Sequence, residues 1–327
     1  MKNLCKLIFA NLLVLFVFLL LFEMSLRLFW NMSAKKGELY QKSKNRILRY
    51  ELKPNAKLDL KSHVIAINSD GFRDKEYPLE KDKDIYRIVF IGDSATFAKG
   101  FKSEDSQPKL LEAKLSEACP GKKFEVLNMG VEGYNSIQEL EMLKTKGLKY
   151  NPDLVIIHYC FNDPDYPEYY FEKNFINRHS VLAKYILYKI RKYQVKQERK
   201  NRGIDTEIDA MSYFYTTDCW DHAKAALLDM ADLTKTRGIK MILLIVPEMS
   251  GEVKNFREGY PYWSINEMLE NIKHENMVII DPIREFSRLN LEKDDLTTWY
   301  YPNVKAKTII ADYTLEKLKQ SNIKFCD

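Results

Sequence analysis

From Arg87 onward, short apolar runs recur along the chain with stretches of helical period between them, and this alternation limits the fold more than any other feature. The runs are Arg87 to Ile91, Glu125 to Asn128, Leu154 to Tyr159, Met241 to Val246 and Met277 to Ile280. Helices are predicted at about 106–118, 136–148, 221–236, 263–274 and 303–319. Strands separated by helices of that length build βαβ units, hence a mostly parallel sheet covered on both faces. Sites in such sheets form beyond the C-terminal ends of the strands. Ser94, the stretch Asn128 to Gly133, and Asn162 all follow directly after strand runs.

Two flanking segments do not fit this alternation. Leu7 to Phe22 is apolar apart from Asn11, about 24 Å of helix, and Leu26, Leu28, Phe29 and Trp30 extend it past Glu23 and Arg27, which can pair at i and i+4. We read residues 1–30 as an uncleaved membrane anchor, with contact to the bilayer through residues 7–30. A cleaved signal peptide is the rival reading, but no small-residue cleavage site follows the apolar run. Lys2 and Lys6 stand before the segment, and Arg27, Lys35, Lys36, Lys42 and Lys44 after it. Counted literally, these charges put the large domain in the cytoplasm.

Residues 31–85 read as a linker and lead-in with turn residues in "AINSDGFRDKEYP", and 86–327 as the main domain. Within it, about 164–220 is a helical insertion. There "HSVLAKYILYKIRKYQVKQERKNR" reads as a long basic helix with Leu182, Tyr185, Ile186 and Ile190 on one face. A lid or surface helix packed on the sheet is the expectation; an anionic membrane surface is the alternative.

The 327 residues carry 51 Lys and Arg against 46 Asp and Glu, an excess too small and too dispersed to suggest nucleic acid as a partner. No P-loop, dinucleotide-binding or zinc-finger spacing occurs, so neither cofactor nor metal is expected. Cys5, Cys119, Cys160, Cys219 and Cys326 include no C-x-x-C pair, and they are read as mostly free buried thiols.

"GDS" at Gly92 to Ser94 is a common turn sequence, but a serine just after a strand and before a helix has an exposed hydroxyl beside backbone N–H groups. Two more blocks follow in order, "NMGVEGYNSIQEL" from Asn128 to Leu140 and "CFND" from Cys160 to Asp163. Together with "IGDSATF" they resemble the first three blocks of the SGNH, or GDSL-type, hydrolases, and "INSDGFRDKEYP" and "KGLKYNPDLVII" resemble phrases of membrane-anchored bacterial members. The resemblance covers about residues 86–320. It implies a three-layer, flavodoxin-like α/β fold with Ser94 as nucleophile and Gly133 and Asn162 as oxyanion-hole donors. It also implies a domain outside the cytoplasm on a single-pass inner-membrane anchor, against the charge count.

The last block departs from the resemblance. That family carries D-x-x-H before P-N; here "TTWYYPNVKAK" aligns on Pro302 and Asn303. Thr298 then stands in the place of the acid and Tyr301 in that of the base, while Ala306 and Lys307 replace the usual Gly and His. No histidine follows His274, and His63, His158, His179 and His222 are read as structural. A phenol ionises near pH ~10, which makes Tyr301 a poor base. Asp295, close in sequence, is a weak substitute, as is Asp294. The resemblance thus implies an esterase or acyltransferase acting on acyl esters, O-acetyl esters among them, of envelope glycans or lipids. The alternatives are a degenerate member that binds glycan or lipid or partners a polysaccharide-modification system, and a membrane-tethered scaffold working through the basic helix.

Overall fold

A computed structural model describes residues 2–30, 37–164, 180–203, 207–250, 253, 255–298 and 301–326. A helix, α1 (Lys2–Trp30), is followed by two short antiparallel hairpins, β1 (Tyr40–Lys42) with β2 (Tyr50–Leu52) and β3 (Lys57–Asp59) with β4 (Val64–Ala66). The main sheet contains β5 (Ile85–Gly92), β6 (Lys123–Gly130), β7 (Leu154–Tyr159), β8 (Lys240–Ile245) and β9 (Met277–Ile280). Their spatial order is β6-β5-β7-β8-β9 and every pairing is parallel. This is the 2-1-3-4-5 order of flavodoxin-like folds, as the sequence leads one to expect.

The strands are apolar runs because both faces are covered. In β5 all residues after Ile85 are buried, the guanidinium of Arg87 included, which pairs with Glu125 at 2.7 Å. The helices after α1 are α2 (Ser94–Phe97), α3 (Gln107–Ala118), α4 (Ser136–Thr145), α5 (Val181–Asn201), α6 (Glu207–Phe214), α7 (Asp218–Lys235), α8 (Trp263–Glu270), α9 (Pro282–Arg288) and α10 (Val304–Gln320). Two predicted helices stop early. The one predicted to 148 gives way at Thr145 to a 3₁₀ turn over Gly147–Tyr150, and the one predicted to 274 ends at Glu270.

Residues 37–85 do more than lead in. Leu39, Leu48, Leu52, Ile65, Ile67 and Phe72 belong to the same buried cluster as the sheet. Their polar neighbours brace the rim: Tyr50 Oη donates to the Glu132 carbonyl at 2.7 Å, Gln138 Nε2 donates to the Leu48 carbonyl at 3.1 Å, and Arg73 donates to the carbonyls of Phe97 and Phe101 at 2.6 Å.

Two expectations are corrected. Cys119 and Cys326 form a disulfide, joining the end of α3 to the C-terminal tail, while Cys160 and Cys219 are buried thiols. Sequence could not pair cysteines 207 positions apart. The basic helix is no lid on the sheet: α5 packs along α1, and none of its described side chains enters the buried core. Its N-terminus is held by Glu23 of α1, which accepts from Val181 N at 2.9 Å, Leu182 N at 2.7 Å and Ser180 Oγ at 3.0 Å. The Arg27 side chain, His179 and the rest of 165–179 lie outside what is described. Within α1, Lys6–Leu26 is long and apolar enough to cross a membrane, and its residues 6–22 are exposed.

Candidate active site

The register brings three loops to one level. Gly92, the last residue of β5, pairs with Gly130 on one side and with His158 on the other. The segments after β5, β6 and β7 therefore leave the sheet together, at the point where the strand order reverses. Gly92 has to be glycine: a Cβ there would lie 2.2 Å from Thr96 Oγ1 and 2.9 Å from the His158 carbonyl.

Asp93 is the hub of the rim. It is 1% exposed and caps α2 by accepting from Ala95 N at 2.9 Å. Its oxygens also accept from Ser94 Oγ at 3.2 Å, Cys160 Sγ at 3.0 Å and Asn162 Nδ2 at 3.2 Å. Cys160 thus ties the β7 loop to the β5 loop. Gly133 takes φ +76° in a turn closed by Tyr134 N to the Val131 carbonyl at 3.1 Å, a conformation glycine adopts freely. Behind the rim Asp163 accepts from Ser136 Oγ at 2.8 Å, a bracing role, and Glu139 is fully buried, its two carboxyl oxygens without a hydrogen-bond partner among the described residues. Burial first, then the nearby carboxylates, push Glu139 and Asp163 well above the usual carboxyl range.

Ser94 stands between two cavities. One, of about 570 Å³, is lined by Ser94 with Ala98, Phe101, Gln107, His158, Thr298, Tyr301, Lys307 and other residues. The other, of about 180 Å³, is lined by Ser94 with Asn162, Met211, Glu248 and Tyr301 among others.

The last block reaches the site through Tyr301. Its phenol donates to Ser94 Oγ at 3.1 Å, where the resemblance would put an imidazole. Burial is the main influence raising its pKa; the bond to Ser94 opposes it and Asp93 adds to it, so the phenol keeps its proton. Thr298 pairs with Tyr301 across a two-residue hairpin, β10 (Thr297–Thr298) with β11 (Tyr301–Pro302), and is exposed. Asp295 is not brought in: its side chain is 70% exposed and lies 3.9 Å from Lys305 Nζ. Among the described residues no histidine contacts Ser94. His158 bonds Thr96 Oγ1 at 2.9 Å, His63 the Lys99 carbonyl at 2.9 Å, and His274 pairs with Asp232 at 3.1 Å.

A reversing parallel sheet, a serine capped into a short helix after its first strand, and glycine and asparagine after the next two are what the sequence resemblance leads one to expect, and the last block departs from it. No family model matches the chain and no curated protein does. Solved structures similar to it include Axe2, an acetylxylan esterase from Geobacillus stearothermophilus, at 15% identity and TM-score 0.44 over 73% of this chain and 96% of that one. TesA is similar at 16% and 0.40 over 72% and 98%. So is a protein from Desulfitobacterium hafniense described as lipolytic and of the G-D-S-L family, at 14% and 0.39 over 70% and 98%. Likenesses this distant do not say what this chain acts on.

Sequence reasoning missed three residues of the larger cavity: Gln107, His158 and Lys307. His158 looked like an ordinary strand residue and Lys307 like the loss of a histidine. The signal available was Lys307 itself, a lysine one helical turn past the Asn303 cap where an inward-facing residue belongs.

Proposed function

We propose that the protein is a membrane-anchored ester hydrolase or acyltransferase acting on acyl esters of envelope glycans or lipids, O-acetyl esters included, with Ser94 as nucleophile. The observation that carries this is the position of Ser94 Oγ between two cavities, with its proton directed to Asp93 and the Tyr301 phenol donating to it. In the reaction Ser94 Oγ bonds to the acyl carbon as its proton passes to Asp93. The carbonyl oxygen gains negative charge beside the N–H groups of Ser94 and Gly133 and the Asn162 amide. Collapse breaks the ester C–O bond, the proton leaves with the alkoxide, and water or an acceptor hydroxyl then takes the acyl group. A carboxylate is by nature a weaker base toward a serine hydroxyl than an imidazole, so turnover is slow beside that of an enzyme with histidine in this place.

A transmembrane Lys6–Leu26 followed by α5 held at Glu23 would keep the domain at the bilayer surface. The basic α5, with Ile186 and Ile190 about half exposed, suits anionic headgroups. The Cys119–Cys326 disulfide favours an oxidising compartment, hence the outer side of the inner membrane, over the cytoplasmic placement that the lysine count suggests.

Treatment of the full chain with a fluorophosphonate over a range of pH, followed by intact mass, tests the enzyme reading. We expect one adduct on Ser94, absent in Ser94→Ala, with a pH midpoint that reports the accepting group. Folded protein that takes no label at any pH rejects it. The second reading, a binding module for glycan or lipid, is favoured by Tyr301, a proton donor where a base belongs. Ligand binding that survives Ser94→Ala, with no labelling of wild type, would select it.

A further inference from the structure

Three residues that line the cavity of about 570 Å³ beside Ser94 each carry a buried polar atom without a hydrogen-bond partner among the described residues: Gln107 Oε1, His158 Nε2 and Lys307 Nζ. Their residues are 1%, 3% and 4% exposed, so they form its inner wall, while Tyr301 at 41% stands at the mouth. The other polar atoms of these side chains are already engaged. Gln107 Nε2 donates to the Lys307 carbonyl at 3.3 Å, and His158 Nδ1 faces Thr96 Oγ1 at 2.9 Å. The rest of the wall is largely apolar, with Ala98, Phe101, Val246, Pro302 and Ile310.

An ammonium buried in such a wall is costly unless an anion meets it. Lys307 Nζ lies 3.0 Å from the centre of the Phe101 ring and forms no ion pair among the described residues. Burial lowers its pKa to about 7, Asp105 opposes the fall and Arg73 adds to it. Arg73, 1% exposed and bonded to the carbonyls of the 97–101 loop, brings a second positive charge to the same side. Leucine or methionine would fill the place of Lys307 without a desolvation cost. Two unpartnered nitrogens at this wall, with the charge of Arg73 on the same side, suit a small group bearing anionic oxygens, while Gln107 Oε1, an acceptor, takes no part in holding it.

We propose that this cavity is a carboxylate subsite: the substrate carries a carboxylate that Lys307 and His158 receive while its ester meets Ser94. The proposal rests on the ester-cleaving reading for the word substrate; the subsite itself does not. Two isomers separate the sources of the carboxylate. Monomethyl succinate carries it on the acyl side of the ester, 3-acetoxypropanoate on the alcohol side, and methyl butyrate is the neutral control.

Calorimetric titration of the full chain in detergent, in the Ser94→Ala background to prevent turnover, tests it. We expect at least one carboxylate ester to bind about tenfold or more tightly than methyl butyrate. Lys307→Met in that background should abolish the preference, and Lys307→Arg should restore much of it. Equal affinities, a preference that survives Lys307→Met, or no binding of any of the three to folded protein would overturn the subsite. The ligand comparison decides the matter even where Lys307→Met fails to fold. A preference for carboxylates in a protein that fluorophosphonate never labels would keep the subsite and reject the enzyme; labelling without preference would do the reverse.

Discussion

The two halves of the rim are built differently. On one side, Asp93 to Ala95, Val131 to Tyr134 and Cys160 to Asp163 emerge from buried parallel strands and are tied together by hydrogen bonds to a carboxylate that is 1% exposed. On the other, Thr298 and Tyr301 sit on a hairpin of two residues per strand, both exposed. A change in the first half disturbs the core; a change in the second alters chemistry and leaves the fold alone. That asymmetry suits a chain whose first three blocks follow the sequence resemblance while its last departs from it at Thr298 and Tyr301.

The sharpest way to break the comparison is to restore the second half. Thr298→Asp with Tyr301→His should raise the rate of fluorophosphonate labelling or ester hydrolysis by about 10²-fold or more, because a positioned general base contributes ~10² to 10⁴. A stopped-flow or intact-mass time course reads it, and no gain would mean that the hairpin does not present these positions to Ser94 as the tyrosine is presented.

Next comes packing in the first half. Gly92→Ala should cost about 1–3 kcal/mol by forcing a Cβ onto Thr96 and the His158 carbonyl. Urea unfolding measures it, and a loss below half a kilocalorie would contradict the tight rim.

A smaller effect lies behind the rim. Glu139 has its folded pKa raised, so the native state holds a proton that the unfolded chain releases near the ordinary carboxyl pKa. Its contribution is full below that range and falls as pH rises through it toward the folded value, so stability drops toward neutral pH. Glu139→Gln should flatten this slope and be the more stable protein at pH 8, by about 1 kcal/mol. The urea midpoint as a function of pH measures it, and parallel curves for the two proteins would rule it out.

At the small end, Thr298→Ala should change stability by no more than about 0.5 kcal/mol, as for an exposed position. Thermal unfolding checks this, and a larger loss would make the hairpin part of the core.

The strands were legible because fully buried parallel strands are written as apolar runs; Leu154–Tyr159 and Met277–Ile280 begin and end where the sequence suggests. Helix ends were less so, since Glu270 and Thr145 stop their helices on local geometry that no single residue type announces. Residues 37–85 looked like lead-in because their apolar residues are sparse, and only packing reveals that Phe72 and Arg73 belong to the site's foundations.

By itself the sequence determined the layered parallel sheet, the apolar N-terminal helix and the three segments that meet at the rim, since each rests on a local pattern of polarity. Tertiary structure alone decided that Cys119 meets Cys326, that α5 lies along α1, and that Tyr301 donates to Ser94. It alone also decided that Gln107, His158 and Lys307 line one cavity. These are juxtapositions of residues far apart in the chain, and no local preference encodes which distant side chains a closed core will bring within hydrogen-bonding distance.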